Sequence, residues 1–103
     1  MEDLNQFLKE CADEDIVVVI KFGATWCGPC KRIHDFFVKL MEHYKLSQKL
    51  CFLEIDIDED RDISDNFQIK QLPTFCVIKK DLDTKYHIGS DEKALSKFVA
   101  ENI

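Results

Sequence analysis

The stretch that decides the fold is IVVVIKFGATWCGPCKRI, residues 16–33. It opens with a nearly continuous β-branched run, Ile16–Phe22, which is typical of a strand covered on both faces. Two cysteines three positions apart follow, with Gly28 and Pro29 between them, and an amphipathic helical pattern comes next. Three roles have to be weighed for this cysteine pair: a metal ligand, a structural disulfide or a reactive dithiol.

The patterns on either side of this stretch predict the order αβαβαββα. Because strands and helices alternate before a final hairpin and helix, we expect an α/β fold with a mixed sheet and helices on both faces. The predicted elements are a helix over Glu2–Ala12, strands over Ile16–Phe22, Leu50–Ile57, Pro73–Lys80 and Thr84–Gly89, a helix from the cysteine pair to about Leu46, a short helix within Asp58–Ile69, and a closing helix from Asp91.

The composition predicts one ordinary globular domain over residues 1–103. Hydrophobic residues make up 46% of the chain and charged residues 33%, enough for one core and a hydrated surface. The formal charge of −6 argues against binding to nucleic acid or to an anionic membrane, since both depend on basic patches. We expect a monomer.

The cysteine usage predicts a reducing, cytoplasmic compartment. The five cysteines cannot all pair within one chain, and their spacing does not resemble a secreted disulfide framework. Met1 is followed at once by two acidic residues, so no signal or transit peptide is expected. The longest apolar run, Ile16–Ile20, is too short to span a membrane.

A metal site and a structural disulfide both fit the cysteine pair poorly. Structural zinc commonly needs a second cysteine or histidine pair, whereas Cys11, Cys51 and Cys76 each stand alone. We therefore predict no metal. A disulfide closing so short a loop gains little stability by the chain-entropy account, and it would be reduced in the expected compartment.

A reactive dithiol fits best. Cys27 is predicted to lie at a helix N-terminus, where backbone N–H groups and the helix dipole favour the thiolate, the nucleophile of thiol–disulfide exchange. Cys30 lies one helical turn further on. Pro29 is tolerated in the first turn and stiffens the loop, and Trp26 offers an apolar plate beside the nucleophile.

These residues resemble the active site of the thioredoxin family. The motif WCGPC over Trp26–Cys30, extended as ATWCGPCK, is similar to that family's redox motif. FLEIDIDED, residues 52–60, resembles its middle strand, QLPTF over Gln71–Phe75 resembles its cis-proline loop, and Gly89 matches the glycine after its last strand. The resemblance covers nearly the whole chain.

The resemblance implies the thioredoxin fold and reduction of protein disulfides. Cys27 would attack a substrate disulfide, Cys30 would resolve the mixed disulfide, and a thioredoxin reductase drawing on NADPH would restore the dithiol without a bound cofactor. The Leu72–Pro73 bond would be cis, and its loop would pair with an extended substrate strand. The implied substrate-binding residues are Trp26, Leu72, Pro73, Thr74 and Gly89. The alternatives are an oxidase or isomerase of the same fold, and a binding module whose dithiol is incidental.

Lys21 is the largest departure from the family, which usually has a buried aspartate there that assists proton transfer at the resolving cysteine. Lys21 shares a strand face with Val17 and Val19, and Glu54 on the next strand is a candidate partner. We expect a charge-swapped pair, or else a lysine that reaches solvent along its alkyl stem. Lys21, Gly28 and Pro29 are the residues predicted to tune the redox chemistry.

Three further features carry weaker predictions. The family's first strand has no counterpart before Glu2, so we expect four strands, with the Cys51–Ile57 strand at an edge. The alternating Asp56, Asp58 and Asp60 resemble the start of a calcium loop, but the required glycine and closing glutamate are missing, so a capped helix start is expected. His34 is expected on the helix surface or at the rim of the site.

Overall fold

The fold is built around the strand that precedes the cysteine pair. The computed structural model describes residues 2–103, and within them the predicted mixed α/β order is confirmed. The elements are α1 (Glu2–Asp13), β1 (Val17–Gly23), α2 (Gly28–His43), β2 (Leu50–Asp56), α3 (Arg61–Asn66), β3 (Thr74–Ile78), β4 (Thr84–Ile88) and α4 (Glu92–Asn102).

The four strands form one sheet in the order β2-β1-β3-β4. β1 pairs parallel with β2, with Lys21 opposite Glu54, and antiparallel with β3. β3 and β4 form the predicted hairpin. The prediction that β2 lies at an edge of a four-stranded sheet is confirmed, and the central position of β1 explains its nearly continuous apolar run.

Two hydrophobic layers cover the two faces of the sheet. Successive side chains of a strand point to opposite faces, so Val18, Ile20 and Phe22 of β1 face one layer and Val19 the other. The first layer is completed by apolar side chains of α1 and α3, and the second by those of α2 and α4. Helices therefore lie on both faces, as predicted.

The structure differs from the sequence prediction mainly at element ends. α2 ends at His43 rather than near Leu46, and the residues after it form turns. β3 is shorter than predicted because proline lacks the N–H needed for a ladder bond and the Lys79 N–H already closes the hairpin turn onto the Asp83 carbonyl, at 3.0 Å. Leu82 at the tip of that turn has a φ of 63°.

Candidate active site

The cysteine pair lies at the start of α2, shortly after β1 ends. Cys27 is the N-cap of α2, with extended backbone, and its Sγ accepts a hydrogen bond from the Cys30 N–H at 3.2 Å. Pro29 lies in the first turn, as predicted, where its missing N–H leaves no donor unpaired. The two cysteines are buried and joined as a disulfide, with their Cα atoms 5.3 Å apart.

An apolar groove opens beside Cys27. We call it the docking groove; its volume is about 360 Å³ and its lining residues are Trp26, Cys27, Gly28, Pro29, Ile57, Ile69, Lys70 and Leu72. Trp26 is 66% exposed, and its indole Nε1–H donates to Asp58 Oδ2 at 2.7 Å. Since this bond ties the ring to the loop after β2, the exposed indole keeps a fixed place at the groove rim.

The proline loop borders the same groove. The Leu72–Pro73 bond is cis, and Leu72 lines the groove. The buried Thr74 donates its hydroxyl to the Gln71 carbonyl at 2.6 Å, and the Gly89 N–H donates to the Pro73 carbonyl at 3.0 Å. Gly89 has a φ of 116°, which favours glycine. Thr74 and Gly89 therefore hold the loop in place, and neither is among the residues lining the groove.

A second cavity lies on the other side of the disulfide, against Cys30. We call it the charged cavity; its volume is about 520 Å³ and its lining residues are Lys21, Gly23, Ala24, Thr25, Cys30, Lys31, His34, Glu54, Ile55, Asp56, Glu59 and Asp60. The docking groove and the charged cavity have no lining residue in common. Cys27 lines the first and Cys30 the second, so the two sulfur-bearing residues face different surroundings.

Lys21 is buried inside the charged cavity. Its side chain is only 4% exposed, and its Nζ lies 3.3 Å from Glu54 Oε1 and 3.3 Å from His34 Nδ1. The predicted charge-swapped pair is confirmed, and the alternative of a lysine reaching solvent is wrong. The ammonium also lies 5.8 Å from the centre of the Phe37 ring, within the range of a cation–π contact.

Gly23 lies between this lysine and Cys30. A β carbon built on Gly23 would lie 3.3 Å from Cys30 Sγ and 3.9 Å from Lys21 Cε. Both side chains therefore face the same small space above Gly23. The absence of a side chain at this glycine leaves that space open between them.

The comparison with known proteins agrees with this geometry. The family profile described as thioredoxin matches residues 2–101. This chain belongs to the thioredoxin family. It is accordingly a thiol–disulfide oxidoreductase that reduces protein disulfides by dithiol–disulfide exchange.

Curated and solved thioredoxins resemble the chain over most of its length. Human thioredoxin is 38% identical over 87 residues, which cover 84% of this chain and 80% of the human protein. Thioredoxin H9 of Arabidopsis thaliana is 36% identical over 102 residues, covering 99% and 71% of the two chains. The crystal structure of the germline-specific thioredoxin Deadhead of Drosophila melanogaster aligns with a TM-score of 0.83 at 30% identity, covering 100% and 94%.

The sequence predicts His34 on the helix surface or at the rim of the site, and in the structure it lines the charged cavity. The side chain of His34 is 45% exposed, but its Nδ1 lies 3.4 Å from Glu54 Oε1 as well as close to Lys21. The signal in the sequence was its spacing, four residues after Cys30, which places both on one face of a helix. Without the position of Glu54, that spacing alone could not identify a network.

Several residues around the docking groove were not predicted from the sequence. Ile57, Ile69 and Lys70 line it. Asp58 was considered only as part of a helix start, whereas its carboxylate holds the Trp26 indole. Asp60 is the N-cap of α3, in agreement with the predicted helix start, but its side chain makes no capping hydrogen bond.

The remaining cysteines have the surroundings of packing residues. Burial raises the pKa of the Cys76 thiol to about 12, offset in part by the backbone N–H of Ile20. Burial, and then the charges of Cys51, Glu14 and Glu10, raise the pKa of Cys11; burial alone raises that of Cys51. Within residues 2–103 no three His, Cys, Asp or Glu side chains are grouped to hold a metal ion, and no helix is long and apolar enough to cross a bilayer.

Proposed function

We propose that Cys27 is the attacking thiol of this thioredoxin and Cys30 the resolving thiol. The observation that carries the assignment is the position of Cys27 as the N-cap of α2, with its sulfur accepting the Cys30 N–H. Such a position stabilises a thiolate, and the thiolate is the nucleophile in exchange. Cys27 also lines the docking groove, from which a substrate disulfide would approach.

In this assignment a reduced Cys27 attacks one sulfur of the substrate disulfide. A mixed disulfide forms between Cys27 and the substrate, and the other substrate sulfur leaves as a thiolate. Cys30 then loses its proton and attacks the Cys27 sulfur. The substrate's second sulfur leaves as a thiolate, and the Cys27–Cys30 disulfide remains.

The substrate would bind as an extended segment in the docking groove. Trp26 and Leu72 supply apolar contact there, and the loop of Pro73, held by Thr74 and Gly89, presents backbone for strand-like pairing. The disulfide of the substrate is thereby held over Cys27. Thr74 and Gly89 lie outside the groove and act by holding this loop.

The oxidised pair must be reduced again by a partner. We propose a thioredoxin reductase that draws electrons from NADPH, as the family implies, with the cytoplasm as the compartment and a monomer as the working form. The basis for the compartment is the cysteine usage. The basis for the reductase is membership of the family.

Lys21 keeps a second function open, that of a thiol oxidase or isomerase on the same fold. A buried ammonium beside the dithiol stabilises thiolates, which stabilises the reduced state and makes the disulfide more oxidising. Gly28 and Pro29 add no opposing or reinforcing charge between the cysteines. A reduction potential well above about −200 mV would favour the oxidase or isomerase.

Turnover of insulin disulfides driven by dithiothreitol tests the assignment. We expect the wild type to accelerate reduction well above dithiothreitol alone and Cys27→Ser to abolish that acceleration. Cys51→Ser is the matched control, because it removes a partly exposed thiol far along the chain from the pair and should leave turnover unchanged. Equal turnover by Cys27→Ser and wild type would refute the assignment and favour an incidental dithiol.

A further inference from the structure

The Lys21, His34 and Glu54 side chains meet in a nearly equilateral triangle. Lys21 Nζ lies 3.3 Å from Glu54 Oε1 and 3.3 Å from His34 Nδ1, and these last two atoms are 3.4 Å apart. The three residues come from β1, α2 and β2, so the triangle joins the elements that flank the cysteine pair. All three line the charged cavity together with Cys30.

Of the three side chains in this triangle, the imidazole of His34 is the one that can still gain a proton. The ammonium of Lys21 carries three protons and only donates, and the Glu54 carboxylate already accepts from it. A neutral imidazole in contact with the ammonium accepts through Nδ1 and keeps its own proton on Nε2. A further proton on Nδ1 would find Glu54 Oε1 beside it as an acceptor.

We infer that His34 is the positioning residue that receives the proton leaving Cys30 during resolution. The inference rests on the proposed roles of Cys27 and Cys30 and assigns a task that the usual buried aspartate cannot perform here, since Lys21 stands in its place. His34 acts through solvent in the charged cavity rather than by touching the sulfur. Its half-exposed ring can then pass the proton to bulk water.

The Cys30 thiol gives its proton through the cavity to Nδ1 of His34, leaving a thiolate and an imidazolium. The imidazolium donates a hydrogen bond to Glu54 and no longer accepts one from Lys21. The Lys21 ammonium stays on the other side of the open space above Gly23 from the Cys30 thiolate. The thiolate attacks Cys27 Sγ, the Cys27–Cys30 bond forms, and the substrate sulfur leaves with the bonding electron pair.

Only the neutral imidazole of His34 can accept this proton, so the assignment makes resolution slow as the pH falls. The titratable and charged groups that line the charged cavity with His34 are Lys21 from β1, Glu54 and Asp56 from β2, Cys30 and Lys31 from α2, and Glu59 and Asp60 from the loop before α3.

The experiment measures attack and resolution separately with a small aromatic disulfide as the substrate. Attack is followed in a Cys30→Ser background, where the adduct on Cys27 is the final product. Resolution is followed with Cys30 present. The reaction is quenched with acid at set times, and the mixed disulfide that has accumulated is measured by mass spectrometry. His34→Asn is compared with His43→Asn, which changes an exposed histidine of the same helix outside the charged cavity.

We expect His34→Asn to slow resolution at pH 7 by at least about tenfold and to weaken the dependence of its rate on pH, with attack unchanged. Imidazole added to His34→Ala should restore part of the lost rate, which a purely structural role would not allow. Resolution by His34→Asn at the wild-type rate and with the wild-type pH profile would overturn the inference. Failure of the Cys30→Ser protein to form any adduct would instead overturn the proposed roles of the cysteines.

Discussion

Cys27 and Cys30 are three residues apart, but the two sides of the disulfide differ in chemistry. Cys27 borders an apolar groove with an exposed indole at its rim, and Cys30 borders a cavity that contains a buried ammonium, a carboxylate and an imidazole. An apolar groove suits docking of a protein substrate, whereas a charged cavity suits movement of a proton. Under the proposed roles of the two cysteines we expect attack and resolution to be alterable independently, because no residue lines both spaces.

The sharpest contrast to test is between the site thiols and the buried thiol of Cys76. Because burial raises its pKa to about 12, about one Cys76 in 10⁴ is a thiolate at pH 8, and this fraction rises tenfold with each pH unit. We expect alkylation of Cys76 in the reduced, folded protein to be at least about a thousandfold slower than that of Cys27. Peptide mass mapping after timed iodoacetamide treatment at pH 8 measures both rates.

Unfolding in guanidinium supplies the control, since all five thiols should then react at similar rates. If Cys76 were modified as fast as Cys27 in the folded protein, the difference in surroundings described above would not govern thiol reactivity.

Lys21→Met should affect the cavity side alone. Methionine fills a similar volume without the charge, and the carboxylate of Glu54 that loses its partner is 46% exposed, so water can hydrate it. We expect resolution to slow about tenfold because the Cys30 thiolate loses the nearby ammonium, while attack by Cys27 in a Cys30→Ser background stays within about twofold. Stopped-flow fluorescence of Trp26, the single tryptophan, reports both phases. An equal effect on both steps would show that Lys21 does not act on one side only.

Trp26→Ala should affect the groove side alone. The exposed ring contributes apolar contact at the groove rim, and removing such an anchor weakens docking by about tenfold. We expect KM for insulin to rise by that factor with kcat little changed. Trp26→Phe keeps an aromatic ring but loses the hydrogen bond to Asp58, so its KM should lie between those of the wild type and Trp26→Ala. A fall in kcat without a change in KM would argue against a docking role.

Gly23→Ala is the mildest change and probes the gap between Lys21 and Cys30. The added methyl group would lie 3.3 Å from Cys30 Sγ, a tight contact that narrows the shared space. We expect resolution to slow about threefold and attack to remain unchanged, measured by the same quench as above. An unchanged rate of resolution in this variant would mean that the open gap has no part in the step.

The order and type of the elements could be predicted because their signals are local. The β-branched run of β1, the helical spacing of α2 and the hairpin before β4 are each visible within a few residues. The ends of α2 and β3 could not be placed, since they depend on turn hydrogen bonds such as that from Lys79 to Asp83. The resemblance to the family supplied the cis bond at Pro73, which local pattern alone does not fix.

The parts of the site that lie close together in the chain could be predicted. The parts that the fold brings together from distant positions could not. Trp26 and the cysteines form one motif, and Lys21 stood out as a charge within an apolar strand. The roles of His34 and Asp58 depend on strand register and on the loop after β2, which bring residues 20 or more positions apart into contact. Such contacts leave no pattern in the chain until the sheet order is known.

The most direct test of the two-sided site is to trap the mixed disulfide. Reduced Cys30→Ser and Cys27→Ser proteins are each incubated with an oxidised peptide substrate, and intact masses are recorded. The account predicts a stable adduct on Cys27 in the Cys30→Ser protein and almost none in the Cys27→Ser protein over the same time. An adduct forming equally fast on Cys30 in the Cys27→Ser protein would contradict it, because the thiol facing the charged cavity would then attack as well as the one facing the groove.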